Sequence, residues 1–267
     1  MNPGFFYPGM LLLGVGVGLL SAALGLGGGI LMVPAFLEFV PGMDPHTAKG
    51  SSLMIIVCVA AVNVWRLNRG HIDWQWRLAL NVAMGSIAAG YLAGWVTQYF
   101  ADQVITWMFI ALLGFVGVRT FFIEAPHVAP DEVRRRNVLA ILIGIVVGAD
   151  SGLTGTGGGT LLVPLALLAG ITSNARVVAL SVMVMVPTCL AAAIAHMLQS
   201  PNPDIELPWT IGRVNLALVP LVFLGAQVGS PLGKWVNDRL TLRVRRTVMG
   251  LVLIIIAGRL LMRVLSS

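Results

Sequence analysis

The chain has 267 residues, of which 57% are hydrophobic and 10% charged. Soluble domains carry about 25% charged residues, so this composition excludes an ordinary soluble fold and points to a membrane protein crossing the bilayer several times. The net charge of +6 does not argue for nucleic acid, because the basic residues fall in short segments between apolar runs, where Lys and Arg report membrane orientation.

The predicted elements run as follows. Residues 1–8 are a short neutral lead, and the first apolar run reads as a retained helix, not a cleaved signal. Residues 9–24 form a helix with Gly14, Gly16 and Gly18 spaced for close packing. A glycine break follows, Gly25-Leu26-Gly27-Gly28-Gly29, and then a short helix over residues 30–40 containing Pro34. Residues 44–49 read as a polar link. Spans are predicted at 50–65, 77–98 and 104–122, and residues 124–137 form the longest charged segment. The second part repeats the plan. Residues 138–153 precede Gly155-Thr156-Gly157-Gly158-Gly159, and a short helix over 160–169 contains Pro164. A polar link at 172–176 leads to spans at 177–198, 212–234 and 247–263. Val33-Pro34 and Val163-Pro164 follow the two breaks at the same distance, Ala48-Lys49 aligns with Ala175-Arg176, and Gly90 and Gly94 align with Gly229 and Gly233. A repeat of about half the chain reads as duplication of a large unit.

The expected fold is therefore all-α and polytopic. Residues 1–123 form the first repeat, 124–137 a cytoplasmic linker and 138–267 the second repeat. Each repeat is expected to hold a re-entrant-like, glycine-broken hairpin and three transmembrane helices. Basic residues at Arg66, Arg69, Arg77, at Arg134 to Arg136 and at Lys234 to Arg246 place those loops in the cytoplasm. The acidic loops at Asp102 and at Asp204 to Glu206 then face outward. These assignments alternate if the repeats have opposite orientation and both termini lie outside. The expected location is the inner cell membrane. Inverted repeats with broken helices are the plan of secondary transporters.

The paired glycine motifs, with Val33-Pro34, Val163-Pro164 and the segment Ala48-Lys49-Gly50-Ser51-Ser52, resemble the TauE/SafE family of membrane permeases over nearly the whole chain. The second repeat departs from the first where Val177-Val178-Ala179 replaces Gly50-Ser51-Ser52. The resemblance implies export of sulfite, sulfoacetate or related organosulfur anions.

The residues point to a site as well. A half-helix start carries about half a positive charge and free N–H groups. The expected substrate site comprises Gly27, Gly28 and Gly29 with Thr156, Gly157, Gly158, Gly159 and Thr160. Lys49, Ser51, Ser52 and Arg176 are further candidates, near the mouths. Asp150 is the acid well inside an apolar run and is the candidate for coupling to a proton or another ion. Gly158→Val is expected to abolish binding and leave folding largely intact. Cys58 and Cys189 read as buried small hydrophobes. His46 and His196 read as structural or solvated. Trp65, Trp74, Trp76 and Trp209 near span ends read as an aromatic belt.

No metal site, cofactor or enzymatic activity is expected: there is no P-loop, no H-E-x-x-H and no nucleophile–base pair. Expected partners are the small anionic substrate and the lipid bilayer, with no nucleic acid and a homodimer as the candidate assembly. The rival readings are an anion or small-solute channel on the same scaffold, an intramembrane enzyme and a structural membrane subunit.

Overall fold

The computed structural model describes residues 3–24, 29–68, 75–122, 128–129, 133, 136–201 and 209–266. Gly25 to Gly28, most of the 124–137 linker and the loop at 202–208 lie outside the described residues, so the site expectations for Gly27 and Gly28 are not addressed.

Ten α-helices are described. The first five are α1 (Pro3–Leu24), α2 (Gly29–Phe39), α3 (Pro45–Asn68), α4 (Trp76–Val96) and α5 (Asp102–Phe122). The second five are α6 (Asn137–Thr154), α7 (Gly159–Leu168), α8 (Val177–Met197), α9 (Leu218–Asn237) and α10 (Leu242–Ser266). Six helical stretches are long and apolar enough to cross a bilayer, within α3, α4 with the turn after it, α5, α6, α8 and α10.

Several elements differ from the sequence expectation: helix α1 already begins at Pro3, inside the expected 1–8 lead, and α10 begins at Leu242, ahead of the expected 247. Helix α3 starts at Pro45, so the expected link at 44–49 is largely its first turn. Asp44 caps it: the Thr47 N–H donates to Asp44 Oδ1 at 2.8 Å, and proline at the first helical position loses no bond that the helix needs. Helix α6, expected over residues 138–153 as one arm of a re-entrant-like hairpin, is 18 residues long, or about 27 Å at 1.5 Å per residue. It is span-like, whereas α7 has 10 residues. The hairpin thus has one long and one short arm. The expected span at 212–234 begins later, because residues 210–215 form a two-stranded hairpin, β1 (Thr210–Ile211) and β2 (Val214–Asn215), turning at Gly212 with φ +57°. Helix α9 is not among the six apolar spans, since Gln227, Ser230, Lys234 and Asn237 fall within its 20 residues.

The helices pack in a cross-half pattern. Helix α1 lies along α9 and α4 along α6, α3 packs on α8, and α5 on α10. Small residues set the closest approaches. A Cβ on Gly148 would stand 2.7 Å from Ser86 Cα across the α4–α6 pair, and one on Gly18 2.6 Å from Ala226 Cα across the α1–α9 pair. Van der Waals contact over small residues is what holds helices together where lipid removes the hydrophobic drive between them. Gly16, expected on the same packing face as Gly14 and Gly18, faces open space. Trp65, Trp76 and Trp209 are exposed; Trp74 lies outside the described residues.

Pro34 and Pro164 sit in the second turns of α2 and α7. A proline there removes the donor to the carbonyl four residues earlier, which frees the carbonyls of Ile30 and Thr160, the residues immediately after the glycine breaks.

Candidate functional site

The second glycine break is a tight reversal. Gly155 ends α6 with φ +75°, and its N–H bonds the Ser151 carbonyl at 2.9 Å. Gly157 and Gly158 also have positive φ, +81° and +69°, and α7 begins at Gly159. Only glycine takes this run of left-handed conformations without strain. Among the described residues, the N–H groups of Gly157, Gly158, Gly159 and Thr160 make no hydrogen bond. The Thr160 hydroxyl is likewise buried without a partner. Five donors are therefore left over at one helix start.

The first break meets the second. Gly29, at the start of α2, is buried, and a Cβ there would run into the Thr156 carbonyl and stand 2.5 Å from Ile56 Cδ1. A Cβ on Gly157 would stand 3.1 Å from Ile56 Cδ1 and 3.2 Å from Cys189 Sγ. Ile56 lies halfway along α3, and Cys189 lies near the middle of α8. The two helix starts thus converge at mid-depth of the bundle, between α3 and α8.

Gly158 presses on α6: a Cβ there would be 2.6 Å from Val147 Cγ1 and 2.8 Å from the Val147 carbonyl oxygen. The expectation that Gly158→Val leaves folding intact is corrected by this contact, which is with backbone and cannot yield cheaply. A Cβ on Gly159 would meet Met185 Sδ at 2.8 Å.

Asp150 hangs beside the same reversal. Thr156 Oγ1 donates to Asp150 Oδ2 at 3.1 Å, and Thr154 Oγ1 lies 2.6 Å from the Asp150 carbonyl oxygen. The two hydroxyl oxygens are 3.0 Å apart. The Thr154 contact is the ordinary bond back to the i−4 carbonyl. Thr156 has no such backbone partner, so its hydroxyl is the link between the carboxyl and the break.

Lys49 is fully buried on the other flank of the break. Its Nζ donates to the Leu153 carbonyl at 3.1 Å, and Ser52 Oγ donates to the Gly155 carbonyl at 3.1 Å. These are carbonyls orphaned by the end of α6, where a cation also opposes the helix dipole. Lys49 is therefore neither at a mouth nor at the lipid interface, but caps α6. Ser51 Oγ accepts the Asn215 N–H at 2.9 Å and so holds the β-hairpin. Arg176 is the N-cap of α8, at the far end of that helix from His196. Its sequence equivalence to Lys49 does not bring the two together.

A buried polar cluster closes the Lys49 end of the bundle, and sequence reasoning missed it. Arg213 pairs with Asp44 at 2.5 Å. His46 Nε2 lies 3.2 Å from the Phe100 carbonyl and 3.3 Å from Asp102 Oδ1. Gln199 Nε2 donates to the Gly94 carbonyl at 2.6 Å, and His196, fully buried, has its Nε2 3.4 Å from the Gly152 carbonyl. Each contact joins a residue of the first half to one of the second, except those of His46 and His196. The Asp-Pro pair ahead of α3 was the one local signal available, since Asp44 reads as a helix cap; its partner lies 169 residues away.

Comparison with known proteins gives one consistent picture. The family described as sulfite exporter TauE/SafE matches residues 10–260. A probable membrane transporter protein of Methanocaldococcus jannaschii is 24% identical, covering 92% of each chain. A probable membrane transporter protein of Bacillus subtilis, YunE, is 25% identical over 94% of this chain and 96% of its own. One of Haemophilus influenzae is 30% identical over 58% of this chain, and the match spans 59% of that relative's length. No solved structure matches.

Proposed function

The chain belongs to the sulfite exporter TauE/SafE family, and on that premise we propose that it is a secondary transporter exporting small organosulfur anions, binding them where the two glycine breaks meet. The observation that carries this reading is the set of unpaired N–H groups at Gly157 to Thr160, in the break whose Thr156 carbonyl packs against Gly29 at the start of α2. Sulfonates and sulfite present oxygen acceptors on a compact anion, which suits converging N–H and hydroxyl donors. Backbone donors carry no proton to lose, so the anion is held without a titrating base. In a low-dielectric interior the attraction is stronger than in water.

The two halves are read as inverted repeats. Supporting this, Lys49 at the start of α3 and His196 at the end of α8 both contact the last turn of α6, so the two helices run antiparallel. The pairings α1–α9 and α4–α6 exchange when the halves are exchanged. Positive loops then place the Arg66 end in the cytoplasm of the inner membrane and both termini outside.

Alternating access follows from what must break. The Asp44–Arg213 pair and the Ser51–Asn215 bond join the halves at the Lys49 end. Opening that end requires the halves to part there, and closing it restores those contacts. Asp150, tied to the break through Thr156, is the coupling group.

The test is binding followed by flux. Thermal-shift titration of the purified protein should show stabilisation by sulfite or short sulfonates, rising as RT ln(1 + [L]/Kd). In proteoliposomes, an imposed pH or sodium gradient should then drive accumulation of the same anion. Equilibration without accumulation assigns a channel instead. Stabilisation by carboxylates but by no sulfur oxyanion overturns the substrate class.

A further inference from the structure

A cavity of about 600 Å³ lies between α1, α2, α3, α8 and α9. Its two ends differ in chemistry. At one end its walls are Met32, Ile56, Ala60 and Met185; at the other they are Asn63, Arg66, Ser230 and Lys234. Ile56 and Arg66 are about 15 Å apart along α3 at 1.5 Å per residue, so the cavity runs from mid-bundle to the end opposite the Asp44–Arg213 pair.

Arg66 and Lys234 come from different helices, are exposed, and make no ion pair among the described residues. No acid lines the cavity beside them. Two unopposed cations at the mouth of a low-dielectric cleft focus positive potential into it. The apolar end abuts the glycine breaks: Ile56 touches Gly29 and Gly157, and Met185 touches Gly159. These two side chains are the layer between the cavity and the breaks. They differ in stiffness. Isoleucine is branched at Cβ and nearly fixed in a helix, whereas methionine turns about three bonds.

We propose that this cavity is the vestibule by which a small anion enters, with Arg66 and Lys234 as an outer anion-binding pair and Met185 as the movable barrier between that pair and the glycine breaks. The proposal rests on the site reading above. The vestibule attracts anions and repels cations at its mouth. Met185 swings aside against the fixed Ile56 to admit the anion to the N–H groups.

Thiol labelling in detergent solution tests it, with native Cys189 as the reporter behind the barrier. Cys58 is replaced by Ser, and Ala60→Cys is added as a reporter within the vestibule. The anionic reagent sulfonatoethyl methanethiosulfonate should modify Ala60→Cys about tenfold faster than the cationic trimethylammonioethyl reagent, relative to their rates with a free thiol. The preference should vanish in the Arg66→Gln/Lys234→Gln pair. Without Ala60→Cys, Cys189 should react slowly; Met185→Ala should speed the anionic reagent about tenfold, and Met185→Leu should restore protection. Equal rates for both reagents at Ala60→Cys, or no reaction there, overturn the vestibule. Unchanged Cys189 reactivity in a folded Met185→Ala overturns the barrier. None of these readouts needs transport. If they hold while methanesulfonate, an anion inert to the thiol reagents, fails to protect Cys189 in Met185→Ala, the vestibule stands and the site reading at the glycine breaks fails.

Discussion

Asp150→Asn is the most informative single perturbation. The carboxyl reaches the glycine break through one hydroxyl, with Thr156 Oγ1 3.1 Å from Asp150 Oδ2. Three short contacts connect Asp150, Thr154 and Thr156, at 2.6, 3.0 and 3.1 Å, and the two hydroxyls supply two protons for them. Thr156 donates to the carboxyl and Thr154 to the Asp150 carbonyl, so both hydroxyl protons are committed to Asp150. An anion at the N–H groups of α7 would share this turn with the carboxyl, and two like unit charges about 6–7 Å apart repel by about 2–3 kcal/mol at an effective dielectric of 20. Water at the half-buried carboxyl lowers this, so about 1–3 kcal/mol is the expected range, a factor of roughly 5 to 150 in affinity. An anion and a carboxyl proton are therefore expected to bind together.

Asparagine keeps an acceptor for Thr156 and removes the charge. Asp150→Asn should bind sulfite or methanesulfonate more tightly at neutral pH, within that range, with its affinity no longer dependent on this group's protonation. In proteoliposomes it should still exchange labelled anion for unlabelled anion, but an imposed pH gradient should drive no accumulation. Isothermal titration at two pH values and a flux assay read both effects. Unchanged affinity together with gradient-driven accumulation equal to that of the unsubstituted protein would refute the reasoning and remove Asp150 from the coupling role.

Other consequences are checked separately. Thr156→Val keeps the shape and loses the hydroxyl, so anion affinity in titration calorimetry should fall by about 1–3 kcal/mol, the cost of a hydrogen bond to a charged group; normal affinity would leave binding to the backbone alone. Arg213→Ala removes the cross-half ion pair to Asp44, whose side chain is only 7% exposed, and hydrogen exchange should rise across residues 44–52 and 209–215 while α5 and α10 stay protected; uniform protection would mean that the pair does not hold that end. Gly148→Ala forces a Cβ into Ser86 on α4, whereas one on Gly114 meets nothing. The former should lower the thermal midpoint by the equivalent of about 1–3 kcal/mol of overpacking, and Gly114→Ala should leave it nearly unchanged.

What the sequence displays is what local chemistry determines. Apolar runs mark the helices, and the second glycine run marks a place where the backbone favours glycine, as the three positive φ angles at Gly155, Gly157 and Gly158 show. Asp150 stands out because a lone acid in an apolar run has no cheap explanation. Boundaries were less legible where two signals competed. The polar residues 44–49 read as a link, although Asp44 and Pro45 are also a helix cap and first turn. The hairpin at 210–215 lies inside a stretch that hydropathy alone assigns to a helix. Lys49 and Arg176 show the deeper limit. Their equivalence in sequence is real, yet one is buried against the end of α6 and the other caps α8; the contact that buries Lys49, to the Leu153 carbonyl, comes from the opposite half.

That divergence has a mechanical consequence. Two identical halves related by exchange would hold either end of the bundle closed equally well, and neither end would be preferred. Here the Lys49 end has an ion pair, a buried lysine and two buried histidines, and the Arg66 end has a cavity whose Arg66 and Lys234 make no ion pair among the described residues. The substitution of Val177-Val178-Ala179 for Gly50-Ser51-Ser52 removes from the second half the hydroxyls that Ser51 and Ser52 use to hold the hairpin and the end of α6. The asymmetry in sequence thus biases the resting state toward closure at one end. On the proposed reading, in which the chain exports and the Arg66 end faces the cytoplasm, the end that holds the cavity is the one where substrate waits, with the Met185 layer still between that cavity and the glycine breaks.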